Sequence, residues 1–524
     1  MTPALQFLIA DERPLAELEE RLKALLSLQF EPEERVERRY YDSFDWRLYH
    51  RDLSLEAVFA GERTQLRLFD LLDDSTRATL EVTGEPPRFA WDYPKGALRD
   101  NLEPMLQVRA LLPVVTILAR ARRMRVLNRD DKTVVRLMVE EARFRAPQGG
   151  AEGALGRYLR LIPVRGYDKA MQRTRKLLEK ELGIEPLMEH PMLRAVELSG
   201  QRVGEYSTKL DFKLSPKRRA DLVAKEIHLH LLRVLEANIE GAKADLDTEF
   251  LHDLRVATRR IRSALTQIKG VFEPDIVAHF KAEFAWIQEI TGPTRDMDVY
   301  LLKFDDYRGS LPAWVRPDLT PFHAFLLERR AEAQRRLVTA LESARFRRII
   351  DEWRGYCEAP VPERSHLPNA IRPIHWVASE RIWRMYRRVM KEGRAIDQNA
   401  PAEALHELRK SCKKLRYLME FFQGLYPRRA FRRLLKSVKI LLDNLGDFQD
   451  FEVQAHTLRG FAEQMFEENK ADADTLIAMG ILVGDLLDGQ TQARAAFEER
   501  FGRFAEKANR RQFKRLFKPS GRES

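Results

Sequence analysis

The chain has 524 residues, 44% of them hydrophobic and 33% charged, which is enough for roughly two to four domains with ordinary cores. Its only cysteines are Cys357 and Cys412, so the composition excludes a disulfide framework and a zinc site built from four thiolates. No run of eighteen apolar residues occurs, and the apolar N-terminus lacks a preceding basic region. We therefore expect no membrane partner and a cytoplasmic protein.

The positive charge is concentrated in the later part of the chain. The formal net charge is +11, from 91 basic and 80 acidic residues. Residues 1–200 hold 33 basic and 33 acidic residues, so the whole excess lies beyond them. This asymmetry favours a polyanionic partner for the later part, although basic residues that only solvate helical faces would give the same balance.

Residues 1–205 have the pattern of an α+β domain. Short β-like runs bounded by Gly or Asp predict strands, whereas helical spacing predicts helices. The predicted helices are 14–28 and 167–182. The predicted strands are 5–10, 53–59, 64–69, 77–82 and 134–139. Strands dominate with few helices among them, which indicates the α+β class.

The pattern changes beyond a junction at Leu214–Lys217. Long amphipathic stretches rich in Leu, Ala, Arg and Glu follow, and they predict an all-α domain over residues 215–520. A second break at Gly355–Pro373 contains four prolines. It divides the helical domain into halves at about 215–355 and 370–520.

The two halves of the helical domain repeat each other at an offset of 154 residues. Leu251–Arg255 recurs as Leu405–Arg409, and Arg259–Arg262 recurs as the basic segment Lys413–Arg416. The same offset relates three further features, namely Gly270 to Gly424, Gly292 to Gly446, and Asp296–Val299 to Asp450–Val453. A register without gaps over this length indicates a duplication and predicts two similar bundles about a pseudo-two-fold axis.

Each copy of the motif His-x-x-Arg-x-x-x-basic-basic-x-Arg places cations along one side of a helix. At 100° per residue, its first, fourth, eighth and eleventh positions fall within an arc of about 80° and span about 15 Å. The nearby acids Asp253 and Glu407 lie about 100° away from this stripe. Stacked like charges destabilise an isolated helix by a few tenths of a kcal/mol per pair, and a bound anion would offset that cost.

We therefore predict one anion-binding site formed by both stripes. The alternative is a solvated basic face, and the duplication of the basic positions counts against it. Arg260 and Lys414 point away from the stripes and are weaker candidates, whereas Lys410 lies near its stripe. Arg295 and Lys439 either add to the positive lining or are surface residues or partners of neighbouring acids. The two histidines are as well explained by local packing, and the motif predicts neither a catalytic residue nor a metal site. The predicted residues are His252, Arg255, Arg259, Arg260, Arg262, Arg295, His406, Arg409, Lys410, Lys413, Lys414, Arg416 and Lys439.

The doubled motif, with its Gly292–Val299 and Leu445–Asp450 segments, resembles a CHAD domain, or conserved histidine α-helical domain, over roughly residues 215–520. The resemblance implies two four-helix bundles around a central basic channel that binds inorganic polyphosphate. Some members of that family associate with polyphosphate granules, which is the location that the resemblance implies. No cofactor is predicted.

The earlier segment Tyr40-Tyr41-Asp42-Ser43-Phe44-Asp45-x-x-Leu48, followed by Leu53-x-Leu55, more weakly resembles the signature of a CYTH domain. That resemblance implies an antiparallel β tunnel that binds triphosphates. Active members of the family hydrolyse or cyclise triphosphates with Mg²⁺ or Mn²⁺.

The chain departs from the CYTH pattern where metal chemistry would take place. Thr2, Ala4 and Gln6 stand where Glu-x-Glu-x-Lys is expected, Leu55–Val58 replaces alternating arginines, and Tyr158–Leu161 lacks the later carboxylates. Divalent cations of this kind need oxygen ligands, so we expect a degenerate and catalytically silent domain. Four arginines are weaker candidates for anion contacts, with surface solvation as the better explanation: Arg67, Arg120, Arg122 and Arg123.

Three functions are compatible with these observations. The first is non-enzymatic binding of inorganic polyphosphate by the helical domain. The second is hydrolysis of triphosphate or polyphosphate in the N-terminal domain, which would need a carboxylate cluster that the sequence does not show. The third is nucleic-acid binding, which the charge permits. Aromatic residues are not interleaved with the basic stripe, however, so base stacking there is not indicated.

Overall fold

A computed structural model of the chain describes residues 5–9, 15–184, 186–187, 189–210, 212–397 and 399–519, except for the side chain of Gln148. Thr2 and Ala4, which were aligned with the CYTH acids, lie outside these ranges. The chain divides into two compact units, Met1–Ser207 and Thr208–Ser524. Within the described ranges, every helix is too short or too polar to cross a bilayer.

The first unit is built on a single antiparallel sheet. Its strands are β1 (Leu5–Ile9), β2 (Leu28–Phe30), β3 (Glu34–Asp42), β4 (Leu53–Ala60), β5 (Arg63–Asp70), β6 (Thr76–Thr83), β7 (Leu112–Leu127), β8 (Thr133–Arg145) and β9 (Glu152–Pro163). They lie in the order β1-β9-β8-β7-β3-β4-β5-β6, and β2 pairs with residues 124–126 of β7. Most neighbours in the sheet are also neighbours in the sequence, which needs only short antiparallel connections.

Four helices cover parts of this sheet. They are α1 (Leu15–Leu25), α2 (Ala97–Leu106), α3 (Asp168–Leu182) and α4 (Pro191–Leu198). The first and third share a core with β1, β7, β8 and β9, in which Leu22, Leu159 and Leu178 are fully buried. The fourth begins at Pro191, and His190 caps it by accepting a hydrogen bond from the N–H of Met192 at 3.2 Å.

The sequence predicted about half of these elements. The predicted strands 53–59, 64–69, 77–82 and 134–139 occur as β4, β5, β6 and β8, and the predicted helix 167–182 occurs as α3. The strands β3, β7 and β9 were missed. In these strands charged side chains alternate with apolar ones, but the charged side chains do not all face solvent. Several of them form ion pairs inside the curved sheet, so the alternation did not show which side of a strand is exposed.

In its described residues, the second unit consists of helices and the segments that connect them. Its helices are α5 (Ala220–Ala237), α6 (Ile239–Lys243), α7 (Thr248–Gln267), α8 (Pro274–Ile290), α9 (Gly292–Leu302), α10 (Phe304–Ser310), α11 (Thr320–Leu341), α12 (Ala344–Glu358), α13 (Ile374–Arg394), α14 (Ala402–Phe422), α15 (Arg428–Glu467), α16 (Ala473–Phe504) and α17 (Lys507–Phe517). The predicted fold class, an α+β unit followed by an all-α unit, is confirmed.

The duplication is visible in where the helices begin. The starts of α5, α7 and α8 at residues 220, 248 and 274 become 374, 402 and 428 when 154 is added, and these are the starts of α13, α14 and α15. The packing repeats as well. Helix α7 lies between α5 and α8 as α14 lies between α13 and α15, and α12 packs on α5 as α17 packs on α13.

One difference between the halves follows from a single proline. In the first half, α8 ends at Ile290 and α9 begins at Gly292, with Pro293 in its first turn. Proline lacks an N–H and clashes with the preceding helical turn, so a continuous helix cannot pass through this point. The equivalent residue of the second half is Asp447, and α15 continues through it for 40 residues.

The two halves also share a core. Helices α9, α10 and α11 of the first half pack with the later part of α15 and with α16. The ring of Phe461 lies 5.4 Å from Tyr300 and 5.7 Å from Phe325, measured between ring centroids. Each half therefore contributes side chains to a core shared with the other half. These contacts add to the direct packing of α7 against α14.

Candidate anion-binding site

Helices α7 and α14 carry the two predicted basic stripes and pack directly against each other. The start of α7 is set by Asp247, whose carboxylate accepts hydrogen bonds from the N–H groups of Glu249 and Phe250 at 2.9 and 3.2 Å. Apolar residues at equivalent positions of both helices are fully buried, namely Leu254 with Leu408 and Ile261 with Leu415. Burial of that face fixes the rotation of each helix and leaves the stripe on another side.

Five cations of these two helices form what we call the basic cluster: Arg255, Arg259, Arg409, Lys413 and Arg416. Burial, and then the positive charge of Arg259 on α7, lower the pKa of Arg409 and of Lys413 on α14. The stripes of the two halves are therefore close enough to act on each other. The structure brings together residues that are 150 or more positions apart in the sequence.

On the α7 side, Arg255 is held by uncharged acceptors. Its Nη1 donates hydrogen bonds at 2.8 Å to the carbonyl of Gln288 and to the hydroxyl of Thr291. Burial, together with the charges of Arg259 and Arg295, lowers the pKa of Arg255 to about 10, while Asp296 acts in the opposite direction. Neutral groups thus position the guanidinium of Arg255, and their hydrogen bonds do not neutralise its positive charge.

On the α14 side, Arg409 donates hydrogen bonds to the side chains of Gln449 at 2.8 Å and Asp450 at 3.1 Å. His406, one turn earlier, has its Nε2 at 2.8 Å from the carboxylate of Glu452 and its ring near Phe448. These contacts tie His406 to α15, which agrees with the packing role that the sequence left open for it.

Arg259 and Lys413, which the duplication makes equivalent, lack an acidic partner within the described part of the chain. Among the described residues, no carboxylate oxygen lies within 4.0 Å of either side chain, and the Nε of Arg259 is buried without a hydrogen-bond partner. Burial, with Arg409, Arg259 and Arg416, lowers the pKa of Lys413 from 10.5 to about 8. Half-buried cations that repel one another are costly, and no neighbouring carboxylate among the described residues offsets that cost for this pair.

The far end of the stripes is partly neutralised, which corrects the prediction that no carboxylate lies on them. Glu420 on α14 has its carboxylate 3.6 Å from the Nε of Arg416, 3.6 Å from the Nζ of Lys439 and 3.8 Å from Nη2 of Arg260. Arg260 also donates a hydrogen bond to the carbonyl of Thr208 at 2.7 Å. Arg260 and Lys439 therefore belong to this end of the site and are less available than Arg259.

The remaining predicted residues lie around the cluster. Arg262 has no carboxylate within 4.0 Å among the described residues, and Arg295 makes a long hydrogen bond of 3.4 Å to the carbonyl of Thr248. Lys410 is exposed and pairs with Glu407. Burial, followed by Arg388 and Lys410, lowers the pKa of Lys414. His252 is half-buried at the start of the stripe.

The equivalent acidic residues Asp296 and Asp450 lie inside helices, Asp296 in α9 and Asp450 in α15, so neither caps a following helix. Each instead faces a cluster arginine, because Asp450 accepts from Arg409 and the charge of Asp296 acts on Arg255. Spacing alone showed the equivalence of these acids without showing whether their helix was interrupted.

The interior of the first unit holds a second concentration of charge. Arg38, Arg67 and Arg160 converge there on three carboxylates. Arg38 pairs with Glu140, Arg67 lies 3.1 Å from Glu56 and 2.9 Å from Asp74, and Arg160 pairs with Asp74. Since Asp74 follows β5 and Arg160 is on β9, these pairs join distant parts of the curved sheet. Of these three arginines only Arg67 was predicted as a candidate, with surface solvation as the better explanation, and its pairs with Glu56 and Asp74 in the interior contradict that explanation.

These interior groups satisfy one another. Burial alone would raise the pKa of Glu56, but the charges of Arg67, Arg38 and Arg160 outweigh it and lower that pKa to about 2. The hydroxyl of Tyr40 also donates to Glu56 at 2.9 Å. The cavity among them has a volume of about 20 Å³, which is room for about one water molecule.

The same carboxylates do not fit the divalent cation that the CYTH resemblance implies. Each is already held by an arginine, and among the described residues no group of three or more His, Cys, Asp or Glu side chains is arranged to hold a metal ion. The other three arginines named from the sequence lie on the outside and pair with glutamates there: Arg120 and Arg122 with Glu33, and Arg123 with Glu34.

These features define a protein of two units. The first has a nine-stranded antiparallel sheet, and the second is a duplicated helical unit with a cationic cluster. Residues 226–459 match the family described as the CHAD domain, so the chain contains a CHAD domain. That match ends inside α15 and does not include α16 or α17.

Several known proteins are similar to this chain. The crystal structure of the CHAD domain from the plant Ricinus communis has 22% sequence identity and a TM-score of 0.47, covering 60% of this chain and 99% of that one. PptA from Streptomyces chartreusis has 16% identity and a TM-score of 0.43, covering 54% and 99%. A proposed adenylate cyclase from Bacillus halodurans has 13% identity and a TM-score of 0.25, covering 36% and 94%.

Among curated proteins, an uncharacterised protein of Mycobacterium tuberculosis is 29% identical over 263 residues. The alignment covers 47% of this chain and 46% of the relative. The same values are found for its counterpart in a second strain of that species. The chain thus spans about half the length of the curated relatives that it matches.

Proposed function

We propose that the helical unit binds inorganic polyphosphate through the basic cluster and that this binding is not catalytic. The observation that carries the proposal is the approach of Arg259 to Arg409 and Lys413 across the contact between α7 and α14. Two halves of a duplicated domain contribute like charges to one place. The repulsion persists in the folded state, and a multivalent anion would relieve it.

The shape and the residue types of the cluster support an extended phosphate polymer. Each stripe spans about 15 Å along its helix, which exceeds what a single phosphate group occupies. Arginine offers paired donors to phosphate oxygens, and lysine adds a point charge. The ring of Tyr417 lies 5.0 Å from the guanidinium of Arg416 but is buried, so an anion without bases accounts for the cluster better than a nucleic acid does.

For the N-terminal unit we propose a structural role without phosphohydrolase activity. Its interior arginines and carboxylates neutralise one another, and the space left among them is too small for a triphosphate. The predicted absence of catalysis rests on these pairs rather than on sequence departures alone. A cytoplasmic location, with recruitment to polyphosphate granules, is part of the same proposal and would follow from binding to the polymer.

The proposal is tested by calorimetric titration of the full chain with long-chain polyphosphate at two salt concentrations, with duplex DNA titrated in parallel. We expect affinity to increase with polymer length and to fall steeply with salt, because phosphate contacts release bound counterions. Duplex DNA should bind much more weakly. Absence of binding to polyphosphate of any length would refute the proposal, and phosphate release in the presence of Mg²⁺ or Mn²⁺ would refute its non-catalytic part.

The low pKa of Lys413 predicts a pH dependence of binding. Because that pKa is about 8, Lys413 loses its proton as the pH rises through this value, and the cluster loses one cation. We expect the affinity for polyphosphate to fall by about tenfold between roughly pH 7 and pH 9, the effect of one charge-assisted contact. In the variant Lys413→Arg, the charge persists and the titration curve should be flat. An equal loss in both proteins would show that Lys413 is not the titrating group.

A further inference from the structure

A second basic surface of the helical unit lies between α13 and α17. Helices α13 and α17 enclose an open groove with a volume of about 1160 Å³. Cations of both helices line its walls, including Arg387 and Lys391 on α13 and Arg510, Arg511 and Lys514 on α17. Helix α13 lies within the residues that match the CHAD family, whereas α17 lies outside them.

Most of the excess charge of the chain is located on these two helices. Helix α13 has six basic and two acidic residues, and α17 has five basic residues and no acidic one. Their net charge is therefore +9, compared with +11 for the whole chain. The charge asymmetry noted in the sequence reflects this groove more than it reflects the basic cluster.

The duplication provides an internal comparison. Helices α5 and α12 occupy the equivalent place in the first half, where α12 packs on α5. Helix α5 has two basic and three acidic residues, and α12 has four basic and three acidic residues. The net charge of the two helices together is therefore zero. There Arg354 pairs with Glu236 and lies 3.0 Å from Asp351. The fold therefore does not require a positive surface at this place.

Few cations of the groove have an acidic partner. Arg384 pairs with Glu380, and the Nε of Arg388 lies 2.6 Å from Glu392. Within the described ranges, no carboxylate oxygen lies within 4.0 Å of the other seven: Arg387, Lys391, Arg394, Lys507, Arg510, Arg511 and Lys514. A groove with seven unpaired cations has the electrostatic character of a site for a polyanion.

The floor of the groove is aromatic and apolar, which distinguishes it from the basic cluster. It contains Trp383, Tyr386 and Met390. The rings of Trp383 and Tyr386 are stacked with centroids 5.6 Å apart, and Tyr386 stacks on Phe513 at 4.0 Å. The hydroxyl of Tyr386 is buried and has no hydrogen-bond partner among the described residues. Trp383 is partly exposed to the groove.

We propose that this groove binds single-stranded nucleic acid. The cations on both walls would hold the phosphates of a strand, and unpaired bases would contact the Trp383 indole, since base stacking on aromatic side chains is typical of such sites. Six of the nine lining cations are arginines, whose planar guanidinium groups both chelate phosphate and stack on bases. Paired bases of a duplex cannot reach a floor of this kind, and inorganic polyphosphate has no group that would use it.

The test measures binding of a labelled single-stranded 12-nucleotide oligoadenylate to the full chain by fluorescence anisotropy. The groove variant is Arg510→Glu with Arg511→Glu. The matched control is Arg347→Glu with Arg348→Glu, the same charge change on exposed residues of the equivalent helix α12. We expect the groove variant to lose at least tenfold in affinity and the control to stay within about twofold. Losing two phosphate contacts should also reduce the slope of log K against log salt by about 1.4.

A second comparison separates base recognition from charge alone. An abasic strand with the same number of phosphates should bind at least about tenfold more weakly than the oligoadenylate, and Trp383→Ala should remove most of this difference. Equal binding of the abasic strand, or displacement of the oligonucleotide by duplex DNA at equal concentration, would overturn the proposal. Equal losses in the groove and control variants would also overturn it. If folding of Trp383→Ala fails, the exposed charge variants still decide the result.

The proposal is independent of polyphosphate binding at the basic cluster. Neutralising Arg259 and Lys413 should leave oligonucleotide binding unchanged while it weakens binding of polyphosphate. Loss of both activities in that variant would place the oligonucleotide at the basic cluster instead and would contradict the assignment to the groove.

Discussion

Replacing Arg259 and Lys413 together by glutamine is expected to lower the affinity for polyphosphate by about 100-fold or more while making the fold more stable. Each cation removed costs one charge-assisted contact with phosphate, worth about 1.5–3 kcal/mol. In the free protein, the same change removes repulsion within the basic cluster, so the free energy of unfolding should rise by about 0.5–1 kcal/mol. Titration calorimetry and urea unfolding measure the two effects.

A loss of affinity together with a gain in stability distinguishes binding residues from structural ones. If the two cations were purely structural, replacing them would lower the free energy of unfolding instead of raising it. The control is Arg347→Gln with Arg348→Gln on the exposed side of α12, which removes the same charge at a distance from the cluster. We expect this control to change polyphosphate affinity by no more than about twofold through the overall charge. A less stable double variant with unchanged affinity would contradict the assignment of Arg259 and Lys413 to the binding site.

The variant Glu56→Gln is expected to destabilise the N-terminal unit by about 3–5 kcal/mol, the cost of removing one partner from a buried ionic network. Glu56 is buried and balances Arg67, with Arg38 and Arg160 close by. Hydrogen exchange followed by mass spectrometry localises the effect. Protection should fall in peptides from β4 and β5, whereas peptides from α7 and α14 serve as an internal control.

The pH dependence of stability provides a second measure of Glu56. Its pKa is lowered from 4.5 to about 2 in the folded protein, so its contribution is complete above about pH 4.5 and is lost as the pH falls towards 2. The difference corresponds to about 3 kcal/mol. In Glu56→Gln this part of the acid dependence should be absent, and adding Arg67→Met should restore part of the stability at neutral pH. Equal stability of Glu56→Gln and the unchanged protein would show that the network contributes little.

The duplication was recognisable from the sequence because equivalent residues of the two halves follow in the same order at a constant offset. An offset of 154 residues aligned the basic motifs, and the same offset relates the starts of three pairs of helices in the structure. Helical periodicity placed Arg255, Arg259, Arg409 and Lys413 on one side of their helices. These inferences required only local geometry, which repeats every few residues along the chain.

The charge partners could not be inferred in this way. Glu420 neutralises one end of the stripes, and Asp450 meets Arg409 from a different helix. In the first unit, Arg38, Arg67 and Arg160 meet carboxylates on other strands or in a turn. Ion pairs between elements depend on how helices rotate and how a sheet curves, and neither property has a signature in the spacing of charged residues.

The sequence by itself determined the order of the two units, the helical character of the second, its duplication and the composition of the basic stripes. Only the tertiary structure decided which cations remain without an acidic partner and which are paired. It also packed α13 against α17, which together carry nine units of net charge, where the equivalent helices α5 and α12 carry none. The physical reason is that periodicity is a property of one segment, whereas neutralisation depends on the distances between segments that packing brings together.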